Sequence, residues 1–271
     1  MLLKLIIGLF LLYVAVAAAL YFSQTSIFFP TRMVPPAGPL PSGSERIELT
    51  APDGIRLEGL LIPASAPDST GTVLLGFAGN ASNAAAIAAF LHQLYPAHPV
   101  VAFHYRGYRP SAGSPSAAAL VQDAPLLFDL VRERLQPKRV VVVGISIGSG
   151  VAAGLAAARS VDGLILVTPF DSLKAVARDK FPWLPTSLLL RPDLPAVDDL
   201  RGQDVPVSIV AAERDDVIPP RRTEALRRAA PNLVHSAIIK GRRHNDIAAD
   251  PLFYLEMRRG LGAVLSQKPS S

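Results

Sequence analysis

Hydrophobic and polar positions divide this chain of 271 residues into three stretches with different rhythms. The first, Leu2 to Phe22, is apolar at almost every position and carries a single charge, Lys4. As a helix it would extend about 31 Å, close to the roughly 30 Å hydrocarbon core of a bilayer. The second, Pro30 to Gly43, has no period and holds Pro30, Pro35, Pro36, Pro39 and Pro41. That pattern predicts an extended, polyproline-prone spacer rising about 3.1 Å per residue, which would hold the remainder of the chain away from a bilayer. In the third, Arg46 to Leu49 and Ile55 to Ile62 alternate apolar and polar around Pro52-Asp53-Gly54, predicting an edge hairpin. From Thr72 onward the rhythm changes. Short apolar runs (Thr72 to Phe77, Val100 to His104, Val140 to Val143, Gly163 to Val167, Val205 to Ala211, His235 to Ile239) predict strands. Helical patterns at Asn80 to Leu94, Ala118 to Leu135, Val151 to Arg159, Thr223 to Ala230 and Leu252 to Leu265 separate them. Near-continuous apolar strands alternating with helices predict an α/β fold, a mostly parallel sheet covered on both faces. The expected division is residues 1–23 as a transmembrane anchor, 24–45 as spacer and 46–271 as the folded domain.

Leu2 to Phe22 has a rival reading as a cleaved signal peptide, with Lys4 as its basic region and Ala15-Val16-Ala17 or Ala17-Ala18-Ala19 as the cleavage site. The length of the run favours the anchor, as does Ile27-Phe28-Phe29, which continues it. Lys4 and the amino terminus favour keeping that end inside. A single-pass membrane protein with its domain on the non-cytoplasmic side, periplasmic or extracellular, is therefore expected.

Half of the residues are apolar, enough for a two-sided core. The net charge is 27 − 22 = +5, spread over short arginine pairs. No basic run is interleaved with aromatics, so nucleic acid is not an expected partner. Anionic headgroups are a better match for a mild basic excess, beside simple solvation. With no cysteine, disulfides, thiolate nucleophiles and cysteine metal sites are excluded.

The candidate chemistry lies at Arg139 to Gly150, RVVVVGISIGSG. A valine strand runs into Gly144-Ile145-Ser146-Ile147-Gly148, which fits G-x-S-x-G, and a helix follows. That context is a nucleophile elbow, in which a strained turn lifts the serine above the sheet. A bystander serine in a glycine-rich turn is the competing reading. A serine hydroxyl needs a base and a group to orient that base, and in elbows of this kind the order is Ser, acid, His. Of five histidines only His235 and His244 follow Ser146. His235 opens a predicted strand, whereas His244 lies in a loop at the carboxyl end, where sites form, so His244 is the expected base. Asp215 leads the acid candidates, with Asp216 and Asp171 as competitors that spacing alone does not remove. Oxyanion donors are expected from the Ile147 amide and from the loop Ala78-Gly79-Asn80-Ala81, assigned to Asn80.

With these residues in view, the chain resembles membrane-anchored α/β-hydrolases, the single-pass abhydrolase-domain proteins related to monoacylglycerol lipases and serine aminopeptidase-type hydrolases. The resemblance runs through Tyr21 to Gln24, Phe29-Pro30, Phe77 to Asn83, Tyr105-Arg106-Gly107-Tyr108, Ser111 to Ser116, the elbow, Thr168 to Leu173, Asp215 to Pro219 and His244-Asn245-Asp246. It implies the acid is Asp215, completing a Ser146, His244 and Asp215 triad. It implies hydrolysis of a small acyl substrate, lipid among them, through an acyl-serine with no cofactor or metal. It also implies a cap at 170–203, here short and apolar (Phe181, Pro182, Trp183, Leu184, Leu188 to Leu190), read as an acyl-chain slot or as sheet cover. Three positions depart from the family pattern: Ala78 stands for a usual histidine, Arg109 for a glycine after Tyr108, and Ala211-Ala212 for His-Gly. A carboxylic ester hydrolase is the expected function. A peptidase or amidase, an acyl-thioesterase, and a tethered protein without catalysis are the alternatives.

Overall fold

The computed structural model describes residues 1–190 and 193–268, apart from the side chains of Ser187 and Leu188. Within the predicted cap, Arg191, Pro192 and the Leu188 side chain thus lie outside the described residues. The strands are β1 (Glu45–Thr50), β2 (Arg56–Ile62), β3 (Thr72–Phe77), β4 (Val100–Phe103), β5 (Arg139–Ile145), β6 (Gly163–Val167), β7 (Val207–Ala212) and β8 (Leu233–Ile239). The helices are α1 (Leu2–Phe28), α2 (Ala84–Leu94), α3 (Ala117–Leu135), α4 (Ile147–Ala158), α5 (Leu173–Lys180), α6 (Thr186–Leu189), α7 (Ala196–Leu200), α8 (Pro220–Ala229) and α9 (Pro251–Leu265).

The strands form one sheet in the order β1-β2-β4-β3-β5-β6-β7-β8. β1 and β2 make the antiparallel hairpin at the edge, and β3 to β8 run parallel. Every residue of β3, β4, β6 and β7 is buried, as expected for strands covered on both faces. The parallel order reverses across β3, so β4 and β5 lie on opposite sides of it. Crevices at such switch points, beyond the carboxyl ends of the strands, are where α/β sheets build sites.

Three local features differ from the sequence reading. α2 begins at Ala84, four residues after Asn80, because the Asn83 carboxamide caps it, accepting from the Ala86 amide at 2.7 Å. Asn80 is left in a turn, with the Ser82 amide bonded to the Gly79 carbonyl at 3.2 Å. α1 continues past residue 23 to Phe28, since one stripe of its carboxyl half (Ala17, Leu20, Tyr21, Gln24, Phe28) is partly covered by the domain. The proline-rich stretch does not stand off as a spacer. Phe29 is buried in the core, and the Pro35 carbonyl accepts from the Asn83 carboxamide at 2.8 Å, so the stretch lies on the domain. The cap region also divides in two. Leu194, Ala196 and Leu200 are fully buried and pack into the core, with Leu194 against Gly150 of α4. The part from Phe181 to Leu190 faces α1 instead.

Candidate active site

Ser146 follows β5 with φ 53° and ψ −117°, a left-handed conformation that a non-glycine residue adopts only when its surroundings impose it. The imposition comes from close packing on either side. A Cβ on Gly144 would lie 2.4 Å from the Gly148 carbonyl oxygen, and one on Gly148 would lie 2.3 Å from that of Phe77. The two glycines let β5, α4 and the end of β3 approach closely enough to force the turn. Ser146 is only partly buried, and it opens α4, whose first amides have no intrahelical acceptor.

His244 lies in the loop after β8, and Asp215 in the loop after β7. The loops are joined by hydrogen bonds from the Gly241 amide to the Glu213 carboxylate at 2.8 Å and from the Arg214 amide to the Arg242 carbonyl at 2.9 Å. Asp215 is held within its own turn, where Oδ1 accepts from the Val217 and Ile218 amides at 2.9 and 2.7 Å. Its Oδ2 lies 2.8 Å from His244 Nδ1, and His244 Nε2 lies 3.0 Å from Ser146 Oγ. An imidazole protonated on Nδ1 donates to the carboxylate and leaves Nε2 free to accept from the hydroxyl. The competing acids point elsewhere. Asp171 pairs with Arg222 at 3.0 Å, and Asp216 is exposed, 3.9 Å from Arg243.

The turn Ala78-Gly79-Asn80 lies over the elbow. A Cβ on Gly79 would meet Ser146 Cβ at 3.9 Å. The amides of Ile147 and Asn80 donate to no backbone or side-chain acceptor among the described residues. The sequence reading overlooked what holds this turn without the usual histidine. The Tyr105 hydroxyl donates to the Ala78 carbonyl and the Tyr108 hydroxyl to the Asn80 carbonyl, both at 2.8 Å, with the rings edge to face. Burial pushes both phenols up, so they stay protonated and serve as donors. The Tyr105-Arg106-Gly107-Tyr108 run was their signal: two amphipathic rings directly after a buried strand.

The α/β-hydrolase fold family matches residues 73–197. An uncharacterized protein of Mycobacterium tuberculosis is 34% identical over 230 residues, 81% of this chain and 79% of its own. The chain belongs to the α/β-hydrolase family. The lysophosphatidylserine lipase ABHD12 of Danio rerio is 31% identical over 138 residues, 44% of this hydrolase and 36% of that protein. Among solved structures, an esterase of Pyrococcus furiosus superposes with a TM-score of 0.66 at 17% identity, covering 86% of this chain and 97% of that one, a likeness of fold. As in other α/β-hydrolases the sheet is mostly parallel, and one apolar helix, α1, is long enough to cross a membrane. Among the described residues no group of three or more acidic, histidine or cysteine side chains could hold a metal ion.

Proposed function

We propose that this hydrolase cleaves carboxylic esters of lipid-like acyl substrates through an acyl-Ser146 intermediate. The observation that carries the reading is His244, bridging Ser146 at 3.0 Å and Asp215 at 2.8 Å. In the first half-reaction Ser146 Oγ attacks the acyl carbonyl while His244 Nε2 takes its proton. Asp215 stabilises the imidazolium. The developing oxyanion accepts from the Ile147 and Asn80 amides, which are held in place before reaction. His244 then protonates the departing alcohol. A water, deprotonated by the same imidazole, attacks the acyl-serine and releases the carboxylic acid. An ester is favoured over a peptide with a free amine because the two competing acids, Asp171 and Asp216, face Arg222 and Arg243.

The lipid character of the substrate and the membrane tether rest on α1 and the cap. Two clefts, of about 50 and 330 Å³, flank the carboxyl half of α1. The smaller is lined by Leu20, Tyr21, Phe28, Phe181, Leu184 and Leu189 among others. Trp183 is half exposed beside Tyr13, ring centroids 6.3 Å apart, and its carbonyl accepts from the Tyr13 hydroxyl at 3.3 Å. A loop carbonyl next to a membrane helix needs such a donor. In this reading α1 anchors the enzyme, its domain is on the non-cytoplasmic side, and acyl chains enter between α1 and the cap. Labelling with a fluorophosphonate probe tests the nucleophile: wild type labels and Ser146→Ala does not. A folded wild type that resists labelling defeats the proposal. For the cleft, Trp183→Glu with Leu189→Gln lowers the dodecanoate-to-butyrate hydrolysis ratio at least about fivefold, an apolar-contact effect of about 1–3 kcal/mol. Equal loss on both esters removes the slot.

A further inference from the structure

A third cavity, of about 860 Å³, lies at the corner of the sheet formed by β1, β2 and the carboxyl end of β4. Its walls are unusual in charge. Arg32 comes from the stretch after α1, Arg46 from β1 and Arg109 from the loop after β4. None of the three forms an ion pair among the described residues. The acid at the wall, Glu58, is already engaged by Arg56 at 2.8 Å. His104, buried at 7% exposure, reaches the same wall, and its Nδ1 has no hydrogen-bond partner. Burial pushes this imidazole down to about 4, so it is neutral at physiological pH and presents a polar edge rather than a fourth charge.

Three exposed arginines from separate segments line one concavity, and their summed positive potential there favours an anion. Each guanidinium offers a planar fork of N–H donors suited to two oxygens of one anion. Three forks exceed what a carboxylate's two oxygens can take and match the three or more oxygens of a phosphate. Arg109 stands where the family pattern carries glycine, so the cavity owes one of its charges to a departure of this chain. The stretch that carries Arg32 is continuous with α1 and is tied down by the Asn83 bond to the Pro35 carbonyl, and Asn83 also lines the cavity. The mild basic excess of the sequence thus has a focus.

We propose that this cavity binds a phosphate group, on a phospholipid headgroup or a soluble phosphate, at a site separate from Ser146. The loop that supplies His104 and Arg109 also supplies Tyr105 and Tyr108, which hold the carbonyls of the oxyanion turn. A bound phosphate braces that loop from its far side. The proposal does not depend on the hydrolase chemistry, and its test reads binding alone.

The test uses the full chain in neutral-detergent micelles and follows thermal unfolding at constant ionic strength. One arm compares sodium phosphate with sodium chloride. The other compares dihexanoyl phosphatidic acid with dihexanoylglycerol, which lacks the phosphate. In wild type at least one phosphate probe raises the unfolding temperature by several degrees, as ligand linkage requires. A shift with phosphatidic acid alone assigns a headgroup site. A shift with inorganic phosphate as well assigns a site for soluble phosphates. The variant Arg32→Gln/Arg46→Gln/Arg109→Gln loses the shift while still unfolding cooperatively. If that variant does not fold, the single replacements Arg46→Gln and Arg109→Gln each weaken the midpoint concentration at least fivefold. No shift in wild type, or an undiminished shift in the arginine variants, overturns the proposal.

Discussion

β7 and β8 each contribute one member to each of two serine–histidine–carboxylate trios, one trio at each end of the strands, and the two ends could hardly be used more differently. Beyond the carboxyl ends, Asp215 and His244 reach Ser146. Near the amino ends, Ser208 and His235 pair across the two strands, with Ser208 Oγ 2.9 Å from His235 Nδ1. His235 Nε2 then meets Glu256 of α9 at 2.9 Å, and Glu256 also takes Arg259 at 2.7 Å. The hydrogen-bond distances of the two trios are nearly the same. What differs is the serine's backbone and access. Ser208 is fully buried inside β7, next to a register shift in the pairing with β8, and not at a strand-to-helix elbow. Ser146 is on a strained turn at a helix start, partly open, beneath a second turn with a free amide. Hydrogen-bonded distance is therefore not what separates a nucleophile from a structural clamp. On the proposed reading, backbone strain, exposure and pre-set oxyanion donors are.

The largest expected effect breaks the comparison at the two serines. Ser146→Ala lowers kcat/KM for p-nitrophenyl butyrate by at least about 10³-fold, leaving only what binding and the oxyanion donors supply. Ser208→Ala changes it by no more than about threefold and shows itself in stability, by about 1 kcal/mol for one lost buried hydrogen bond. Comparable activity losses in both would show that the inner trio couples to catalysis.

Much of this contrast was legible in the sequence. The valine strand before Gly144, the serine between glycines and the helix after them specify the elbow, because only small neighbours permit that turn. His244 was separable from His235 because one falls in a loop at the carboxyl end and the other within a strand. Asp215 was less accessible from the residues alone. Asp215, Asp216 and Asp171 are all loop aspartates, and what divides them is which arginine or imidazole each faces, a matter of tertiary packing. The clamp formed by Ser208, His235 and Glu256 was hidden for the same reason: its members are far apart in sequence and sit in ordinary strand and helix patterns. The start of α2 at Ala84 was missed because Asn80, Ser82 and Asn83 are all plausible caps, and only the Asn83 bond to Ala86 settles it. The proline stretch misled because prolines report backbone stiffness, not whether a neighbouring Phe29 finds a core.

An intermediate effect sharpens the comparison through glycine, since each trio is gripped by one. At Gly148 an added Cβ would meet backbone, 2.3 Å from the Phe77 carbonyl and 2.8 Å from that of Ala78. Those peptides lead into the turn proposed to hold the oxyanion, so Gly148→Ala displaces Asn80 and lowers kcat for p-nitrophenyl butyrate by about 10- to 100-fold. At Gly260 the added Cβ would meet a side chain, 2.2 Å from Ser208 Oγ. Gly260→Ala therefore destabilises the fold by about 1–3 kcal/mol as overpacking, with fluorophosphonate labelling intact. Adding Ser208→Ala to it removes the nearest atom and recovers part of that loss in denaturant titration. Failure of that recovery would show that Gly260 is needed for helix packing rather than for the clamp.

The smallest effect concerns charge in the inner clamp. Burial pushes the Glu256 carboxyl up, but hydrogen bonds from His235 and Arg259 together outweigh it and hold the carboxyl below the usual glutamate value. A carboxyl depressed in the folded state binds its proton less readily there than in the unfolded chain. Its stabilising contribution is therefore complete above the unfolded value of about 4.3 and is lost as pH falls through the lower folded value. Glu256→Gln accordingly lowers Tm by a few degrees at about pH 8, consistent with losing a charged hydrogen bond worth about 1.5–3 kcal/mol. Below about pH 4.3 the gap between wild type and variant narrows. Taking the difference cancels the other acids that titrate in both proteins. A gap that persists unchanged to the acid limit would mean the clamp holds by shape and neutral hydrogen bonding, with no contribution from the carboxylate's charge.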